Sequence, residues 1–180
     1  MPDPITIARL TEVPDWSRCS GELDPIFFDA SATRSFADDA ARAAFRERWL
    51  GRYLVHFAGL AHVAVDERGA MFGYIVGAHG DPAQDPLFAD IGYLAELATS
   101  TARYPAHLHI NLGPETRNKG VGTRLIEAFM ADARAAGVPG VHLVTGRASR
   151  NRSFYARNGF TCAAELVWGG TPIVMLARKL

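Results

Sequence analysis

Cysteine is scarce in this chain: among 180 residues only Cys19 and Cys162 occur, and their separation matches no metal-ligand spacing. Both are expected to be reduced thiols, which argues against a disulfide scaffold, and no metal centre is expected. An excess of one charge is also missing, since Lys plus Arg and Asp plus Glu each number 19. No net field draws the molecule onto nucleic acid or a membrane surface, so neither is an expected partner. Long apolar runs are absent too. The longest apolar-rich stretch, Leu54 to Val65, is broken by His56 and His62, and Met1 to Asp15 hold no basic segment followed by a long apolar one. A soluble, cytoplasmic protein is the expectation. Repeats, low-complexity tracts and linkers do not stand out. One domain over residues 1–180 is expected, long enough to bury roughly 70% of its unfolded surface.

What is present is a succession of periodic segments. Ile5 to Leu10 reads as a strand, followed by a Pro- and Asp-containing segment to about Phe28. Asp38 to about Leu54 predicts an amphipathic helix with Phe45, Trp49 and Tyr53 four apart on one face, a stripe read as core more than ligand box. Ala61–Val65 and Met71–Val76 flank the turn-like Asp66-Glu67-Arg68-Gly69 and predict an antiparallel hairpin. From Gly77 to Tyr104 the chain departs from a tight connection, with Gly80, Pro82 and Pro86 before a helix-compatible Leu87 to Ala102. Long loops in compact domains are usually functional or mobile, so this insertion is read either as a wall of an acceptor site or as surface decoration. Thr161–Val167 and Ile173–Ala177 look like a closing pair of strands around Gly169-Gly170, with an edge open to dimerisation across Cys162–Leu180. The order β, α, β, β, insertion, β, α, β, α, β, β implies an α/β fold: a mixed sheet of about seven strands with helices on both faces.

The stretch with most chemistry in it is Arg117-Asn118-Lys119-Gly120-Val121-Gly122. It follows His107–Leu112, in which Leu108, Ile110 and Leu112 alternate onto one face before Gly113-Pro114 ends the strand. After it, Val121, Leu125, Ile126, Phe129, Met130 and Ala133 recur at helical spacing until Gly137 and Pro139. The helix therefore begins inside the glycine motif. A helix N-terminus offers backbone N–H groups without intrahelical partners and about half a positive charge, both of which attract phosphate. Gly120 and Gly122 let a ligand approach the backbone, while Arg117, Lys119 and Arg124 add charge. On its own the hexapeptide is better explained by turn geometry.

Its neighbours add weight. Val141–Val144 reads as a strand, and Asn151–Phe160 as a short helix closed by an Asn-Gly C-cap. Strand, phosphate-loop helix, strand and a helix ending Tyr155-x-x-x-Gly159-Phe160 resemble the Gcn5-related N-acetyltransferase (GNAT) superfamily, whose loop pattern Arg/Gln-x-x-Gly-x-Gly/Ala is matched from Arg117 to Gly122. The resemblance is clear over Ala106–Phe160. Tyr104–Ile110 further resembles the strand leading into that loop in the acetyltransferase-like C-terminal domain of O-GlcNAc hydrolases and its free-standing bacterial relatives.

This resemblance implies acetyl-CoA as cofactor and a primary amine, on a small molecule or an exposed lysine, as acceptor. Residues carried over for cofactor binding are Leu112, Arg117, Asn118, Lys119, Gly120, Val121, Gly122 and Thr123. Leu112, with Asn111 beside it, matches the family's strand bulge, where a backbone N–H meets the thioester or pantetheine arm. Tyr155 is the implied acid at the sulfur, a phenol with an ordinary pKa near 10 that stays protonated at neutral pH. Two departures matter. Where relatives carry a cofactor-contacting asparagine this chain has Ala148, and Asn151 is the nearest substitute. Where the family's glutamate base sits, near Ala106, there is no carboxylate. His107 or His109 then becomes a candidate base, with Glu22, Asp24, Asp29 and Glu96 as acidic alternatives. Arg147, Arg150, Arg152 and Arg157 are either an adenosine-phosphate patch or a solvated helix face. The competing reading is a non-catalytic acetyl-CoA-binding or protein-interaction module of the same fold. A nucleotide-binding phosphate loop is disfavoured because G-x-x-x-x-G-K-[ST] is absent.

Overall fold

Strand-forming runs and one long amphipathic helix dominate the computed structural model, which describes residues 5–116 and 119–180, without the side chains of 18–20. Seven strands follow in sequence: β1 Thr6–Arg9, β2 His62–Val65, β3 Met71–Ala78, β4 Ala106–Leu112, β5 Gly140–Gly146, β6 Thr161–Trp168 and β7 Thr171–Lys179. They form one mixed sheet in the order β1-β2-β3-β4-β5-β7-β6, flanked by helices, which is the α/β architecture expected. The α-helices are α1 Trp16–Cys19, α2 Leu23–Ala30, α3 Asp39–Arg46, α4 Arg52–His56, α5 Leu94–Arg103, α6 Val121–Ala135 and α7 Arg152–Arg157. No helix among the described residues is long and apolar enough to cross a membrane.

The chain divides into two compact units. The first comprises the described residues up to Gly77 together with His109–Phe129; the second comprises Ala78–Leu108 and Met130–Leu180. In the first unit β1, β2 and β3 are antiparallel, with Asp66 Oδ1 accepting from the amides of Arg68 and Ala70, both at 2.9 Å, to close the predicted hairpin. The predicted helix from Asp38 starts where expected: the Asp38 carboxylate accepts from the Ala41 amide at 2.7 Å. It does not run on as one regular helix. Between α3 and α4, Glu47–Gly51 form a π-turn in which the Arg52 amide reaches back to the Glu47 carbonyl. Sequence periodicity does not reveal such a turn, because it inserts a residue without changing composition.

In the second unit the parallel ladder between β4 and β5 sets Ala106 against Val141 and His107 against His142. β5 runs on against β7 for its whole length, from Gly140 opposite Lys179 to Gly146 opposite Ile173. The β6–β7 hairpin turns on Gly169 and Gly170, both at positive φ, the two-residue geometry that follows the twist of its strands. β6 is the last strand in the sheet order, and Val167 and Trp168 on it are 64% and 42% exposed. The insertion after Gly77 packs into its unit, with Phe88, Leu94 and Leu97 all buried. Its Gly92 lies where a Cβ would be 2.6 Å from the Trp168 ring.

α6 realises the predicted stripe: Val121, Leu125, Ile126, Phe129, Met130 and Ala133 are all buried, and Gly137 at φ +70° ends the helix. Each such side chain contributes on the order of 1.5–3 kcal/mol by leaving water. The helix start is thereby fixed at Val121, the position that matters for the site.

Candidate active site

The glycine loop is pinned from below by β3. The Gly113 amide donates to the Phe72 carbonyl at 2.8 Å, and the buried Thr116 hydroxyl lies 3.1 Å from that same carbonyl and 3.0 Å from that of Gly113. Pro114–Thr116 form one 3-10 turn directly after β4. Arg117 and Asn118 lie outside the described residues. Gly120 then takes φ +76°, a left-handed conformation that a side chain disfavours by roughly 1–2 kcal/mol, and among the described residues nothing lies within 4 Å of where its Cβ would be. The first α6 bond runs from the Arg124 amide to the Gly120 carbonyl at 3.2 Å. The amides of Val121, Gly122 and Thr123 therefore have no acceptor inside the helix. A helix N-terminus with first-turn amides that have no intrahelical acceptor fits an anionic group such as pyrophosphate. The two glycines divide the work: Gly120 supplies the positive φ, while Gly122 is a buried helical position. Lys119 is exposed beside them. Arg124 is engaged elsewhere, its guanidinium donating to the Ile5 carbonyl at 2.8 Å.

Before the loop, β4 presents a polar row in the first unit. Asn111 Nδ2 donates to the Tyr74 hydroxyl at 2.7 Å. Tyr74 is fully buried, and burial pushes its phenol well above the ordinary value, against the lowering effect of the Asn111 bond. Asp24 and Arg46 also act on it electrostatically, and Arg46 Nε meets Asp24 Oδ1 at 2.7 Å. Asp24, an acidic candidate for the base, is thus committed to an arginine, while Glu22, Asp29 and Glu96 are exposed. Gly73 faces this row: a Cβ there would lie 2.6 Å from Leu112 Cδ2 and 3.0 Å from the Asn111 carbonyl oxygen. Neither the Tyr74–Asn111 pair nor the Gly73 clearance has a sequence signal, because the partners are far apart along the chain.

The two candidate histidines part company. His107 belongs to the second unit and is buried, with its ring edge-on to Phe88 at 4.7 Å and 5.7 Å from His142. That is the environment of a packed strand residue. His109 belongs to the first unit and is half-buried, with Nε2 3.1 Å from the Tyr53 hydroxyl. Trp49 lies edge-on to it at 5.3 Å. The predicted aromatic stripe therefore splits: Phe45 joins Phe27 and Phe36 in a cluster, while Trp49 and Tyr53 flank His109.

In the second unit, Tyr155 sits on α7, buried between Phe154 and Phe160. Burial raises its phenol above the ordinary value, and no hydrogen bond among the described residues enters into that shift. The group stays protonated across the physiological range. Asn158 and Gly159, the latter at φ +80°, end the helix as predicted. Asn151 stands at its N-cap position and accepts from the Thr145 hydroxyl at 3.2 Å. A cavity of about 580 Å³ opens beside α7, lined by Arg147, Arg152, Ser149, Ser153, Phe160 and Cys162 among others. Arg147 is 3.5 Å from Glu165, and Arg152 donates to the Arg147 carbonyl at 2.8 Å. Two of the four arginines singled out in the sequence thus line this cavity; Arg150, Arg157, Tyr155 and Asn151 do not.

Comparison with known proteins identifies the fold. Residues 87–162 match the model described as the acetyltransferase (GNAT) domain, a window that contains the loop, α6 and α7. Among solved structures, one described as SsHAT is 26% identical with a TM-score of 0.74, covering 97% of this chain and 98% of its own. The NatC complex bound to Gag peptide and CoA gives 15% identity, TM-score 0.65 and 98% coverage of both chains. The PaiA N-acetyltransferase from Thermoplasma acidophilum in complex with coenzyme A gives 16%, 0.62 and coverage of 98% and 99%. The fold is that of the GNAT acetyltransferases, and residues 87–162 match the model of that acetyltransferase domain.

Proposed function

We propose that this chain is an acetyl-CoA-dependent N-acetyltransferase acting by direct attack of a primary amine, on a small molecule or an exposed lysine. The observation that carries the reading is the loop: pinned to β3, turning at Gly120 in left-handed backbone, and leading into the first turn of α6, where Val121, Gly122 and Thr123 have amides with no acceptor inside the helix. Those amides, with Lys119, Arg117 and Asn118, would hold the pyrophosphate, and Leu112 with Asn151 would contact the rest of the cofactor. Bound acetyl-CoA supplies the activated acetyl group. In the overall exchange the neutral amine loses one N–H, an N–C bond forms, a C–S bond breaks, and the amine's proton ends on the sulfur of the released thiol. On the strand Tyr104–Ile110 we place the chain beside the bacterial relatives of the acetyltransferase-like domain of O-GlcNAc hydrolases.

Tyr155 is assigned to the sulfur end. Its raised phenol makes complete proton transfer to a thiolate uphill, so the hydroxyl acts there as a hydrogen-bond donor that stabilises developing negative charge. The test is thiol release from acetyl-CoA over a panel of amines and lysine peptides, for the wild type and Tyr155→Phe. Loss of one such donor typically lowers turnover about 10²-fold or more. Thermal stabilisation by acetyl-CoA with no thiol released for any acceptor would turn the assignment toward a non-catalytic binding module. No stabilisation at all would remove the cofactor.

A further inference from the structure

We propose that His109 takes the proton from the acceptor amine and that Tyr53 is the residue that positions it for this step, a proposal that rests on the acetyltransferase reading. His109 stands on β4 three residues before Leu112, and its half-buried ring is gripped on two sides, by Trp49 at 5.3 Å and by Tyr53 at 5.2 Å between centroids. Its Nε2 is 3.1 Å from the Tyr53 hydroxyl, and Tyr53 is only 1% exposed. A phenol so far from water gains strongly from a fixed partner, so the pair holds one ring orientation. In the tautomer this step requires, Nε2–H donates to Tyr53 Oη and Nδ1 is the base. A proton accepted at Nδ1 makes the imidazolium, whose Nε2–H bond to Tyr53 strengthens as charge develops.

Tyr53 lies in the first turn of α4, and Trp49 in the π-turn Glu47–Gly51 that precedes it. Such turns are costly and recur at functional sites. Gly51 accommodates it: the space a Cβ would fill holds the Glu47 carboxylate, with Oε2 2.1 Å from that point. Two of the other groups named as possible bases compete poorly. Asp24 is paired with Arg46 at 2.7 Å, and His107 is packed against Phe88.

The experiment combines two readouts on the wild type, Tyr53→Phe and His109→Gln. Transfer is followed against pH by thiol release, with butylamine and N-α-acetyl-lysine methylamide as acceptors; the His109 ring is followed by ¹⁵N NMR over the same range. The expected result is that kcat/KM rises with pH along His109's own titration. In Tyr53→Phe both midpoints should move together and the Nε2–H tautomer lose its dominance. In His109→Gln the pH limb disappears and transfer falls about 10²-fold, with acetyl-CoA binding retained. An unchanged tautomer and titration in Tyr53→Phe would overturn the positioning role. Undiminished transfer in His109→Gln, or a wild type that binds acetyl-CoA and acetylates neither amine, counts against His109. Failure to bind acetyl-CoA strikes the acetyltransferase reading itself.

Discussion

Gly120 and Gly122 look interchangeable in a Gly-x-Gly motif, yet one lies in left-handed backbone and the other in the first turn of α6. Only Gly120 needs the freedom of a missing side chain for its own conformation, at φ +76°. Among the described residues an alanine there finds open space around its Cβ, so its cost is conformational: roughly 1–2 kcal/mol from left-handed backbone. Gly120→Ala is therefore expected to lower the urea midpoint by that amount and to weaken acetyl-CoA binding, because the loop relieves its strain by turning the first-turn amides. Equal stability of Gly120→Ala and wild type would show that the positive φ is not required. The same scale separates His107 from His109. Two histidines with one residue between them share a strand face in the sequence, and only the neighbours Phe88 and Tyr53, distant along the chain, give them different chemistry.

At the scale of elements, much was legible and the rest fails for a physical reason. All seven strands and the long helix follow from alternation, helical spacing and the Gly, Pro and Asn punctuation. The α6 stripe from Val121 to Ala133 is buried as expected because a helix with one apolar face has only one way to hide it. The π-turn was not legible, since periodicity read across Phe45, Trp49 and Tyr53 cannot see one extra residue in a turn. Nor was the close approach of β3 to the end of β4, where Gly73 faces the Asn111 carbonyl and Leu112. Those two glycines make opposite predictions. Gly73→Ala would press on β4 backbone 3.0 Å away, which cannot swing aside, so a loss of about 1–3 kcal/mol is expected together with weaker acetyl-CoA binding. Gly51→Ala meets the tip of Glu47, a flexible carboxylate, and gains helix propensity worth about 1 kcal/mol. Chemical denaturation of the two variants should place Gly73→Ala clearly below the wild type and Gly51→Ala within about 1 kcal/mol of it. The reverse order would mean that the strand end yields and the π-turn does not.

For the whole molecule the governing variable is pH, because balanced charges leave no net self-repulsion near neutrality while buried histidines remain. His142 is buried on β5, its Nδ1 bonded to the Tyr104 carbonyl, and burial lowers its pKa from 6.5 to about 4. The Tyr104 bond and Asp81 oppose that shift without cancelling it. His79 is lowered in the same direction, by burial set against Asp132. A histidine whose folded pKa lies below its unfolded one binds fewer protons in the native state, so acid favours unfolding. The loss begins as pH falls through 6.5 and is complete near 4. It reaches at most about 3 kcal/mol for His142 at 1.36 kcal/mol per pKa unit, enough to erode a large part of a typical domain's stability. Unfolding free energy measured by urea titration should therefore decline steadily from pH 7 to pH 4. His142→Leu removes the titrating group and leaves the Tyr104 carbonyl unpaired, at a cost of about 1–3 kcal/mol. The variant should be less stable than the wild type at pH 7 yet lose less on acidification, so the two curves converge toward pH 4. Parallel curves would mean that His142 is not the group through which acid unfolds the protein.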